Sequence, residues 1–164
     1  MKYLISCICI FMIGIAGCGV YSFTGGGIAG VETLAVEPFT NRDPEFGLED
    51  QLVDAVVQRL LSDRTYTIAN MSTADAILRG VITDVDDRTI SFSKNEEAEE
   101  NEVKITLEIQ VIKPGKSEPL KETRLVATGV YPYETGNPDE RQAGINKAID
   151  QLVLDLFNWL TSDW

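Results

Sequence analysis

The sequence predicts an α+β fold: a two-layer sandwich in which two amphipathic helices pack on one face of a four- to five-stranded mixed sheet. Three observations carry this. Apolar residues recur at 48, 52, 53, 56, 57, 60 and 61, and again at 145, 149, 152, 153, 156, 157 and 160, which is helical spacing with one apolar stripe. Between these runs Val103, Ile105, Leu107, Ile109 and Val111 alternate with polar residues, as a strand with one covered face does. Thr33–Val36 and Tyr66–Ile68 flank the first helix as short strands, and a strand–helix–strand unit of that length favours parallel strands joined by a right-handed crossover.

The elements follow in order. Thr33–Val36 is closed by Pro38, and Asn41 to Gly47 is a polar turn holding Pro44. Leu48 to Asp63 is the first helix, with Glu49 and Asp50 in a first turn where negative charge suits the helix dipole. Ala76 to Ser93 mixes two alternations, so one long, bent strand is expected, with Gly80 as the bulge. Asn95 to Glu102 is an acidic loop, and Val103 to Ile112 the next strand. Pro114-Gly115-Lys116 is turn chemistry, after which Leu120 to Tyr133 returns to complete an antiparallel meander. Asp139 to Trp159 forms the last helix, capped by Asn137 or Asp139. Both helices then share one sheet face, and the Thr, Glu, Lys and Arg between the apolar strand positions leave the other face to solvent or a partner.

Ahead of this domain stands a different kind of segment. Lys2 supplies a positive start, Tyr3 to Gly17 is almost wholly apolar, and Ile15-Ala16-Gly17-Cys18 ends the run. That layout is a secretory signal with small residues before the cut. The cysteine directly after Ala-Gly resembles the lipobox of bacterial lipoproteins. The resemblance implies that residues 1–17 are removed, that Cys18 is acylated, and that residues 18–30, rich in glycine, form a tether to a single domain over 31–164. Several acyl chains anchor a protein stably, at about 0.8 kcal/mol per buried methylene. Gly19 stands where an aspartate would imply inner-membrane retention, so outer-membrane sorting is expected.

Composition excludes several chemistries. The 164-residue chain carries 14 basic and 26 acidic residues; without Lys2 the balance is 13 against 26, net −13. Nucleic-acid binding needs a basic footprint and is excluded. There is no histidine, and with Cys7 and Cys9 in the signal and Cys18 acylated no thiol remains, so Ser-His-Asp, Cys-His and thiolate or imidazole metal chemistry are absent. No enzyme motif stands out and no cofactor is implied. Gly25-Gly26-Gly27 lacks the Gly-Lys-Ser/Thr of a phosphate loop, and Asp84-Val85-Asp86-Asp87 lacks the glycine and distal glutamate of a calcium loop. Trp159 and Trp164 sit where interface anchors or partner contacts are found.

Several stretches together resemble the LptE lipoproteins. These are Cys18-Gly19-Val20-Tyr21-Ser22-Phe23 with its glycine-rich link, Thr33-Leu34-Ala35-Val36-Glu37-Pro38-Phe39-Thr40-Asn41-Arg42, and Ala74-Asp75-Ala76-Ile77-Leu78-Arg79-Gly80. The resemblance implies two helices on a four-stranded sheet, no catalysis, and a place in lipopolysaccharide assembly at the outer membrane. There the lipoprotein plugs the lumen of the LptD β-barrel, helps it fold and engages lipopolysaccharide. The domain is then lipid-anchored on the periplasmic side or within the barrel lumen. Lys104, Lys113, Lys116, Lys121 and Arg124 on the central hairpin are the candidate residues facing lipopolysaccharide or the partner, with acids interleaved among them. Strand, Pro-Phe, polar turn and long helix also resemble the CsgG-like and penicillin-binding-protein-activator lipoproteins, which form secretion pores or stimulate peptidoglycan synthesis.

Overall fold

The computed structural model describes residues 27–92, 98–133 and 138–162, so Cys18, Asn137 and Trp164 lie outside the described residues. The chain runs β1 (Thr33–Val36), β2 (Thr40–Asn41), α1 (Leu48–Asp63), β3 (Thr67–Ile68), β4 (Ala76–Phe92), β5 (Ala98–Ile112), β6 (Pro119–Pro132) and α2 (Pro138–Thr161). The six strands make one mixed sheet in the order β3-β1-β4-β5-β6, with β2 also pairing to β4. β1 is parallel to both β3 and β4, while β4, β5 and β6 form the antiparallel meander. Both helices cover one face, so the α+β sandwich is as expected.

The alternation on β5 decides which face is covered. Val103, Ile105, Leu107, Ile109 and Val111 have no solvent exposure, and they pack with Leu34, Leu78 and Ile82 of the sheet beneath Leu52, Val56, Leu152, Leu156 and Leu160. Each such side chain contributes about 1.5–3 kcal/mol by leaving water. The opposite face carries Arg79, Lys104, Glu108, Glu122 and Arg124, and among the described residues no helix crosses it.

Three details differ from the sequence expectations. The sheet holds an extra short strand, β2, because Thr40 and Asn41 pair with Val81 and Ile82 as the chain leaves Pro38. The acidic run is only partly a loop: Glu99, Glu100 and Glu102 belong to β5, which pairs with Ser91 and Arg88 on β4 and with Val130 and Pro132 on β6, and so carries the β4–β5 ribbon, edged by β6, past β1, β2 and β3. Arg88 answers the charge there, meeting Glu102 at 2.7 Å. Gly80 is not a bulge. It pairs in register with Ile109, and the register shifts fall between Ile82 and Asp84 and beyond Thr89. Its role is steric, since a Cβ there would lie 2.8 Å from the Phe39 ring, which sits directly on the strand.

The end of the sheet where the described chain begins is tied by two polar devices. Tyr66 Oη donates to the carbonyl of Leu160 and accepts from Ile28 N–H, both at 2.9 Å, joining the β3 approach, the end of α2 and the chain before β1. Asp75 Oδ2 accepts from Thr33 Oγ1 at 2.7 Å, from Thr33 N–H at 2.8 Å and from Glu32 N–H at 3.1 Å. The Thr33 hydroxyl bond, followed by the two backbone bonds, lowers the Asp75 pKa below its ordinary 3.8. A carboxylate depressed in the folded state stabilises the fold above its unfolded pKa, and that contribution is lost as pH falls through the folded value. We therefore expect Asp75→Asn to be less stable than wild type at pH 7, and the difference to shrink below about pH 4, the carboxylate range. Urea midpoints at pH 7 and pH 3 measure it; an equal difference at both would rule out the linkage.

Candidate functional site

Chemically expressive side chains gather at the other end of the sheet, where the β4–β5 ribbon projects and α2 begins. Their assembly starts in the loop after β2. Asn41 Oδ1 accepts from Asp43 N–H at 2.9 Å, Asp43 Oδ1 accepts from Glu45 N–H at 3.2 Å, and Asn41 Nδ2 donates to the Glu45 carbonyl at 2.6 Å. These are Asx turns, which Asn and Asp form by bonding the backbone two residues on. Asp43 Oδ2 also accepts from Val85 N–H at 3.2 Å, pinning the loop to β4.

Arg141, in the first turn of α2, closes the arrangement. Its guanidinium binds both oxygens of Glu45 at 2.9 and 3.0 Å and Oδ2 of Asp87 at 2.8 and 3.1 Å. Asp87 Oδ1 in turn accepts from Tyr131 Oη at 2.6 Å. Four segments thus meet at one cation: the β2–α1 loop, β4, β6 and α2. The bonds from Glu45 and then Asp87 push the Arg141 pKa further up, against partial burial. Burial first, and the Asp87 bond second, push the Tyr131 hydroxyl above 10.0. Arg141 and Tyr131 both hold their protons more firmly than usual while bonded to carboxylates, and the arrangement ties its segments together as a latch.

The latch displays one residue. Phe46 lies between clamped Glu45 and Gly47, whose left-handed φ of 78° turns the chain into α1 with Leu48 buried. The Phe46 ring is 95 % exposed on that fixed backbone, and Phe92 on the ribbon is 62 % exposed. Ile90 and Tyr133 at the same end are also exposed. Sequence reasoning missed this set. The local signal was the Asn-x-Asp-x-Glu spacing of 41–45, which marks stacked Asx turns but does not reveal that Arg141 reaches them.

The five basic candidates do not form one patch. Lys104 lies on the open face, 3.5 Å from Asp84 and Asp86. Arg124 sits on the same face opposite Glu108 on β5. Lys113 and Lys116 are exposed at the β5–β6 turn, at the Asp75 end. Lys121 is on the helix face: its ammonium donates to the carbonyls of Trp159 at 2.5 Å and Ser162 at 3.1 Å and lies 5.0 Å from the Trp159 ring centroid. A cation there offsets the negative end of the helix dipole, so Lys121 and Trp159 serve the end of α2. The acidic motif divides too, with Asp84 and Asp86 facing Lys104 while Asp87 joins the latch. Among the described residues no group of three acids is placed to hold a metal, and no helix is long and apolar enough to cross a membrane.

One covered and one open sheet face, with polar groups engaged in latches at both ends of the sheet, define the chain as an α+β two-layer domain. The comparisons with known proteins make the assignment specific. A model of the family described as LptE, lipopolysaccharide-assembly, matches residues 31–160, and the chain belongs to that family. Among curated proteins no sequence matches. Solved structures share the fold at low identity. Rare lipoprotein B of Shewanella oneidensis is 16% identical, with 78% of this chain and 90% of that one covered and a TM-score of 0.50. A minor lipoprotein of Acinetobacter baumannii is 16% identical, with coverage of 80% and 91% and a TM-score of 0.51. A PelC dodecamer of Paraburkholderia phytofirmans gives 12%, 85% and 94%, and 0.51.

Proposed function

We propose that this chain is an outer-membrane lipoprotein of lipopolysaccharide assembly, anchored through acyl chains on Cys18, which plugs an LptD-type β-barrel and assists its folding. The family match over residues 31–160 carries this reading, because it spans the six described strands, α1 and all but the last residue of α2. The open sheet face and the exposed aromatic end supply contact surface of the kind a lumenal plug needs, and the role requires no catalysis. Lipopolysaccharide phosphates, where the domain meets them, fall to the exposed cations Lys113, Lys116 and Arg124, whereas Lys104 and Lys121 have intramolecular partners.

Affinity capture of the full chain from detergent-solubilised outer membrane should recover an approximately equimolar large β-barrel. Recovery of a homo-oligomeric ring or a peptidoglycan synthase instead would overturn the proposal. In the same strain Cys18→Ser should accumulate as an uncleaved or soluble form; unchanged processing and membrane fractionation would count against the anchor.

A further inference from the structure

Charge is distributed unevenly along the sheet. Among the described residues of 42–45, 84–104 and 139–141, at the ribbon end, ten carboxylates face four cations. At the opposite end, over 28–33, 63–79 and 113–122, five of each sign balance. The described chain begins at the balanced end, where Ile28 is held by Tyr66. The acidic end is also where Phe46, Ile90, Phe92 and Tyr133 stand out of the fold. Exposed aromatics are ordinary when scattered; gathered at one end on a fixed backbone, they mark an interaction surface.

From this coincidence we infer that the ribbon end is the docking end of the domain, with Phe46 as the anchor residue, and that its occupant is a basic protein surface with an apolar pocket. This rests on the barrel-partner reading and names the chemistry of that contact. The charge selects the occupant. An anionic lipid surface, a polyanionic glycolipid and a second copy of the same acidic end are all repelled by ten carboxylates against four cations. A cationic protein surface is attracted and steered into register. The latch accounts for the anchor. Glu45 is held by Arg141 through both oxygens, and Leu48 is buried two residues beyond Phe46, so the ring is presented with its backbone already ordered. An aromatic residue ordered before contact loses little entropy on burial and is the type that dominates interfaces.

The test uses the full-length chain co-expressed with the outer-membrane barrel of its own cell. Phe46→Ser removes only an exposed ring, so its thermal midpoint should match wild type while the barrel recovered with it falls at least tenfold. Glu99→Lys with Glu100→Lys should also lower recovery, and wild-type capture should weaken as salt rises. Leu61→Ser, an equally conservative loss of an exposed apolar side chain at the other end of α1, should leave recovery unchanged. If wild type recovers the barrel and both ribbon-end variants do so undiminished, this inference fails and the barrel reading stands. If wild type recovers no barrel, the barrel reading fails and takes this inference with it.

Discussion

Gly129→Ala should be among the most damaging single-methyl additions in the protein, at about 3 kcal/mol or more, beyond the usual range for overpacking because no side chain is available to give way. A Cβ at Gly129 would fall on the carbonyl oxygen of Gly144 and within 2.7 Å of its carbonyl carbon, with Ala148 N at 3.0 Å. Here β6 and α2 touch backbone to backbone. To admit the methyl the helix must retreat, and Ile145, Ala148 and Ile149, all buried on the same stretch, lose their contacts together. Thermal denaturation should show a fall of roughly 10 °C or more, by the scaling for domains of this size. Gly144→Ala should cost less, because its Cβ meets backbone only at 3.1 Å, at the Gly129 carbonyl oxygen, and its 2.7 Å contact is with the Tyr131 ring, which can tilt at the expense of its bond to Asp87. A loss below about 1 kcal/mol for Gly129→Ala would mean that α2 is not seated as described.

Arg141→Met should cost about 2 kcal/mol, midway in the range for charge-assisted hydrogen bonds, with partial exposure keeping it below the penalty of a fully buried break. Methionine retains most of the volume but leaves Glu45 and Asp87 near one another without the cation that binds both. Tyr131 can still donate to Asp87, so one of the two carboxylates keeps a partner. Urea denaturation should give a lower midpoint with an unchanged slope. A double-mutant cycle with Glu45→Gln isolates the pair. The double variant should be less destabilised than the two single variants summed, because each single change leaves a charge behind. Simple additivity would show that the loop and α2 are not coupled through Arg141.

How far the fold was legible depends on whether its cause was local. The β5 alternation and the two helical stripes were readable because the covered face of an element repeats at the element's own period. The parallel pairing of β1 and β3 followed from the length of the crossover between them. β2 was not readable, since two residues have no period and Thr40 and Asn41 become a strand only because Val81 and Ile82 offer free backbone groups. The acidic start of β5 has the sequence of a loop because charge repulsion is visible in sequence, whereas Arg88 waiting across the ribbon is not. Gly80 and Gly129 announce that something comes close, without saying what: for one it is a ring, for the other a helix backbone. The latch was least legible, as Arg141 and Glu45 lie 96 residues apart and each alone is an unremarkable surface charge. The Asx spacing at 41–45 was the only trace of it.

The place of β1 in the sheet has a mechanical consequence. The first strand among the described residues is flanked on both sides, by β3 and by β4, and runs parallel to each. A leash pulling on Ile28 while a grip holds the ribbon end would draw β1 along its own length. Its ladder to Thr67–Ile68 and Ala76–Leu78 is then loaded in shear, so the bonds share the tension and yield together instead of unzipping one by one. Asp75, bonded across to Glu32 and Thr33 where that tension enters, acts as the cleat.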